Sequence, residues 1–174
     1  VPNAQGDLTL SHLNLDAVTQ FILGTGTTDG DGKSQWPQQA FLANPLFPVS
    51  FDLKLTAGDA DAGIIGHIRN FQTAATLTEG SLRLADTRGD LYGGRLEGMF
   101  ELRNTSGTGL ATGQFTLDQA AIDGLYRPQT GIPPVRGKAR ISASVNATGT
   151  SMAELVGSVA GSGVVSVGGL EINS

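Results

Sequence analysis

The chain has 174 residues, with 11 Lys and Arg against 16 Asp and Glu, and a formal net charge of −5. That length suits a single domain, residues 1–174, able to bury roughly 70% of its unfolded surface. The absence of cysteine excludes disulfides and Cys-ligated zinc, two histidines are too few for the usual multi-histidine metal sites, and the acidic balance lacks the basic patch that nucleic acid requires.

Glycine contributes 25 residues without a collagen-like period, and charged residues only 16% of the chain, so Ser, Thr, Asn and Gln fill most polar positions. Residues 1–66 hold seven Asp and two Lys, whereas the remainder is neutral. No apolar run exceeds four residues, against the roughly 18 of a membrane span. The chain opens on Val1, as expected of a fragment or a processed chain whose leader or anchor lies upstream.

The first predicted elements are a strand leading into Thr9-Leu10-Ser11-His12-Leu13-Asn14-Leu15-Asp16 and a short helix over 17–22, capped by Asp16. Turn chemistry then fills Gly24 to Gly32 and predicts a mobile loop. Gly24-Thr25-Gly26-Thr27-Thr28-Asp29 has Asp where a dinucleotide fingerprint needs its third Gly. Asp29-Gly30-Asp31-Gly32 opens like a calcium loop, but Lys33 takes the next ligand position. With Pro37, Pro45 and Pro48, residues 24–48 read as an irregular Gly/Pro-rich insert.

Period-two alternation follows. It marks strands at 51–57, 95–103 and 113–117, with 71–77 and 81–84 forming a hairpin across Thr78-Glu79-Gly80. Asp59 and Asp61 read as a solvated turn. Residues 116–123 repeat the pattern of 9–16 and suggest a further short helix capped by Asp123 and stopped by Pro128, before an irregular stretch over 127–134. Residues 135–147 alternate without a break and predict a strand of roughly 44 Å. Ser151-Met152-Ala153-Glu154 is a capping box opening a helix to Val156. A Gly/Val-rich strand closes the chain, with a bulge expected at Gly161-Ser162-Gly163. Val164-Val165-Ser166-Val167, uncharged and free of Pro, predicts strand pairing with another copy or with more of the parent chain.

The resulting fold class is mainly β with few short helices: a long, twisted, mostly antiparallel sheet curling into an open trough or an elongated sandwich. No local motif supports catalysis. His12 and His67 have no partner motif, no Ser sits in a nucleophile elbow, and no cofactor or metal is expected. Asn104 and Asn146 each begin a glycosylation sequon.

Gly89-Asp90-Leu91-Tyr92-Gly93-Gly94-Arg95-Leu96-Glu97-Gly98, then the strand from Val135, the Ser151 helix and the Gly-rich closing strand, occur in an order that resembles the carboxy-terminal domain of the AsmA-like family of Gram-negative envelope proteins. The resemblance spans residues 51–172 and is most specific over 91–98. It implies a periplasmic, non-enzymatic domain in outer-membrane assembly and inner-to-outer membrane lipid transport, tethered to the inner membrane by a segment outside this sequence. It implies phospholipid or another acyl-chain ligand as partner. An apolar groove for such a chain would be lined by Leu96, Phe100, Leu102, Phe115, Leu117, Ala139, Ile141, Ala143 and Val145. A structural or binding β-sandwich with a dry core fits the same alternation.

Overall fold

The computed structural model describes residues 3–23, 38–43, 50–78, 80–122 and 135–172. Eight strands form one sheet in chain order: β1 (Asn3–Asn14), β2 (Ser50–Asp61), β3 (His67–Thr78), β4 (Ser81–Leu91), β5 (Gly94–Thr105), β6 (Thr108–Ala121), β7 (Val135–Gly149) and β8 (Ala160–Ile172). Helix α1 (Leu15–Leu23) joins β1 to β2, and α2 (Met152–Gly157) joins β7 to β8. The pairs from β2 to β8 are antiparallel, as the alternation predicts. The pair β1–β2 is parallel, with α1 and residues 24–49 between the two strands in the chain.

The predicted strands are present and longer than their alternating cores. The stretch at 51–57 lies within β2, 95–103 within β5, 113–117 within β6, and 135–147 within β7. Inner-face side chains are apolar or small and outer-face ones mostly polar, so the hydrophobic pattern pins the register. Bulges interrupt it in β3, β4 and β6, where Asn70 (φ 52°), Asp86 (φ 51°) and Gln119 (φ 59°) take left-handed backbone. Each extra residue bends its strand and increases twist, which curls a sheet of this length instead of leaving it flat. The bulge expected at Gly161-Ser162-Gly163 is absent, since those residues pair in unbroken register with Val145, Ser144 and Ala143. The irregularity lies further along, between the pairs Lys138–Gly168 and Arg136–Glu171, beside Gly169 (φ 62°).

The hairpin between β4 and β5 explains the Leu91-Tyr92-Gly93-Gly94 motif residue by residue. Leu91 is buried, Tyr92 (φ 51°) and Gly93 (φ 71°) make the two left-handed positions of a type I′ turn, and Tyr92 donates its hydroxyl to the carbonyl of Ile65. Gly94 has another reason to be glycine: a Cβ there would sit 2.5 Å from the Ala120 nitrogen and 2.8 Å from its Cα.

Both described helices depart from their predicted caps in detail. The α1 cap is Asn14, whose Oδ1 accepts from the Ala17 amide at 2.8 Å, while Asp16 falls in the first turn. The helix therefore starts two residues before the predicted 17–22. At α2 the Ser151 hydroxyl accepts from the Glu154 amide at 3.2 Å, as a capping box requires. The Glu154 carboxylate instead reaches one residue further back, accepting from the amide and hydroxyl of Thr150 at 2.9 and 2.7 Å. The helix expected after Asp123, the loop at 24–32 with its Asp29 and Asp31, and the irregular 127–134 stretch lie outside the described residues.

Part of the predicted insert belongs to the core. Within residues 38–43, Ala40 bridges to Ser151, the Phe41 amide donates to the Thr150 carbonyl at 2.8 Å, and the Phe41 side chain is buried.

Candidate functional site

The inner face of the sheet carries two separate hydrophobic clusters, one toward each end of the strands. At one end Ile22 and Leu23 of α1, Phe41, and Leu155 of α2 close over Leu77, Leu82, Leu102 and Ala147. Asn104 holds this closure. Only 6% exposed, it donates its amide to the Leu42 carbonyl at 2.9 Å and to the Leu23 carbonyl at 3.4 Å, and its Oδ1 accepts from the Gly107 amide. The glycosylation sequon at this position is therefore folded away. At the other end Ala57, Ala60, Ile68, Phe71, Leu91, Leu117 and Ala120 form a cluster spanning β2 to β6, with Ile141 of β7 packed against it.

Helix α1 lies on the inner face, with Leu15 against one cluster and Ile22 and Leu23 in the other. It touches both β2 and β5, three places apart in the sheet order, from the inner face. The described residues contain no second sheet over the inner face. A two-sheet sandwich, the rival architecture, is not formed by them.

The nine residues predicted to line a groove all lie on this inner face, but they differ in cover. Leu102 and Leu117 are sealed in the clusters at 0% and 4% exposure, and Ala139, outside both, is buried at 3%. Leu96, Phe100, Ile141, Ala143 and Val145 are half-buried. Phe115, near the middle of β6, is 38% exposed. The structure thus keeps Phe115, Ala143 and Val145 together in the band between the clusters, where β6 and β7 pair Phe115 with Ala143 and Gly113 with Val145. Small residues open this band. Gly98 faces Phe115 across β5–β6, and Gly163 and Gly161 stand opposite Ala143 and Val145 on β8. Close backbone approach requires these glycines: a Cβ on Gly98 would sit 2.9 Å from the Phe115 Cα, and one on Gly163 would sit 2.9 Å from the Ser142 carbonyl oxygen.

Among the described residues the band carries no ionisable side chain. The inner-face positions of β5 to β7 carry apolar side chains, glycine and Asn104. The inner-face hydroxyls of Thr73 and Thr87 are consumed by each other at 2.9 Å, Thr73 also donating to the Ala85 carbonyl. No described buried side-chain polar atom lacks a partner.

The outer face is different in kind. A shallow concavity of about 820 Å³ crosses β4 to β8 there, lined by charged (Arg83, Glu97), hydroxyl (Ser142, Ser144) and apolar (Met99, Val164) residues, with Phe115 and Ala143 of the band also on its border. Beside it Arg140 donates to Asp118 at 2.8 Å, and that hydrogen bond holds the Asp118 carboxyl below its usual value although both groups are exposed. Sequence reasoning also missed a cluster at the β1–β3 edge of this face. Asp59 belongs to β2 rather than to a turn, and its Oδ2 lies 2.9 Å from His67 Nδ1 and 3.7 Å from His12 Nδ1. The parallel register that pairs His12 with Asp59 has no signature in local spacing. Among the described residues no group of three His, Asp or Glu is arranged to hold a metal ion.

A family model described as the AsmA family matches residues 2–167. No curated protein and no solved structure matches the chain.

Proposed function

Because the chain belongs to the AsmA family, a family of the bacterial envelope, we propose that it is a periplasmic, non-enzymatic domain whose half-covered inner face receives the acyl chains of phospholipid during lipid transport and outer-membrane assembly. The observation that carries this reading is the exposure of Phe115 in the middle of the sheet, in an uncharged band open between two sealed clusters. An acyl chain laid there recovers about 0.8 kcal/mol per CH₂ removed from water, or about 12 kcal/mol for a 16-carbon chain fully covered. That is close to what the chain loses on leaving a bilayer, so lipid can move along the band without being trapped. No titrating group or cofactor is needed. Family membership supports the envelope context, and the uncharged character of the band supports carriage over catalysis.

The test is mass spectrometry of organic extracts after incubation of the purified chain with phosphatidylethanolamine and phosphatidylglycerol vesicles. Wild type and Ser144→Asp, an exposed change on the outer face, are expected to retain phospholipid in stoichiometric amounts. Phe115→Asp is expected to keep the β circular dichroism of wild type and lose most of the lipid, because a carboxylate then lines the band. A lipid-free wild type, or equal lipid on all three proteins, overturns the reading and leaves a binding module without a lipid ligand.

A further inference from the structure

Over residues 160–167 the closing strand carries none of the features that keep a sheet edge to itself; its bulge beside Gly169 and its one charge, Glu171, lie beyond that run. β8 pairs with β7 on one side, and no described residue pairs with its other side. Residues 160–169 contain no charge and no proline, the two residue classes that usually block edge-to-edge pairing. The side chains of both faces are exposed: Val164 is 67% exposed on the outer face, and Val165 and Val167 are 63% and 50% exposed on the inner face. Those two valines extend the apolar inner face beyond β7, since Val165 pairs with Ile141 and Val167 with Ala139. Among the described residues the apolar surface therefore runs to this edge.

We propose that β8 is a homodimer interface, pairing antiparallel with β8 of a second copy about a two-fold axis near Val165. Three observations select this occupant. The uncharged run is self-complementary: centred on Val165, it sets Val165 against its own copy and Val167 against Gly163, with no like charges facing. Antiparallel pairing about an axis normal to the sheet keeps both apolar faces on one side, so the inner face continues across the junction. The opposite edge is a poorer partner. β8 runs parallel to β2, and so to β1, which means that head-to-tail pairing of β8 with β1 would be parallel and open-ended rather than closed. β1 also presents Asp7 and His12 along its length.

The chain has no cysteine of its own, so single cysteines report geometry cleanly. Sedimentation is expected to show a monomer–dimer equilibrium, with β8 amide exchange slowing as concentration rises. Val165→Lys is expected to weaken the dimer by at least about tenfold, by setting two ammonium groups together at the axis, while leaving the β spectrum unchanged. Oxidised Val165→Cys is expected to give a covalent dimer, and Thr9→Cys on β1 a monomer. A monomeric mass at all concentrations overturns the proposal, whether the β8 amides stay unprotected or are covered by another segment of the chain. A ladder of larger species with crosslinks between cysteines on β1 and β8 overturns the two-fold arrangement in favour of head-to-tail growth.

Discussion

The residues that decide this fold are small or polar ones at close approaches, more than the large apolar ones. Gly93 and Gly94 are neighbours of the same type with different duties. Ala at 93 enters open space but must adopt φ 71°, which costs about 1 kcal/mol. Ala at 94 meets the Ala120 backbone, which cannot move without separating β5 from β6, so its cost is expected to exceed that of Gly93→Ala, at about 1–3 kcal/mol. Denaturant unfolding of the two variants checks the order; equal costs would show that β6 yields easily. Asn104→Ala strips buried hydrogen bonds from the carbonyls of Leu23 and Leu42 and is expected to cost about 1–3 kcal/mol. It should also speed amide exchange in α1 while leaving β3 to β5 unchanged, whereas a merely local defect would leave α1 as slow as in wild type.

Among elements, α2 is the one tied most directly to pH. The hydroxyl and then the amide of Thr150 hold the Glu154 carboxyl below its usual value. Because the folded value is the lower one, the stabilisation is complete above the unfolded value, the ordinary carboxylate range, and is lost as pH falls through the folded value. Asp118, lowered by its bond to Arg140, acts in the same direction. Thermal melts from pH 6 down to pH 3 are therefore expected to fall less steeply for Glu154→Gln than for wild type. Parallel curves would mean that the Thr150 bonds do not form in solution. The outer-face pairing also bears on the choice of control for charge insertion. Arg140→Asp would bring two carboxylates together on β6 and β7, so Ser144→Asp is the cleaner outer-face substitution.

Across the whole molecule, stability is distributed unevenly through the sheet. The central strands contribute to both clusters, whereas β1 is an edge strand with exposed residues over 4–9 and a single, parallel partner among the described strands. Amide exchange is expected to be faster in β1 than in β4 to β6, and equal protection would show that β1 opens only with the global fold. The same unevenness separates the sealed groove residues Leu102, Leu117 and Ala139 from the half-open band around Phe115.

Local alternation was sufficient to read most of the strands. A period of two survives without tertiary information, because successive side chains of a strand must point to opposite faces. The Ser151 cap was legible for the same reason, its bonds spanning only three residues. The motif at 91–94 entered only through the family resemblance; that it makes a tight turn shows in the structure, and why Gly94 is glycine depends on Ala120 of β6, 26 residues later in the chain. What alternation leaves open is everything set by curl. It marked nine apolar positions alike, but their cover depends on where α1 and Phe41 close over the sheet, and on bulges at Asn70, Asp86 and Gln119 that no local rule places. The meeting of His12 and His67 at Asp59 likewise follows from a parallel register between distant segments. Sequence alone determined a long, one-sided β-sheet with an apolar face, because side-chain alternation is a local consequence of strand geometry. Only the tertiary structure decided which part of that face is sealed and which stays open, because cover is made by segments far apart in the chain.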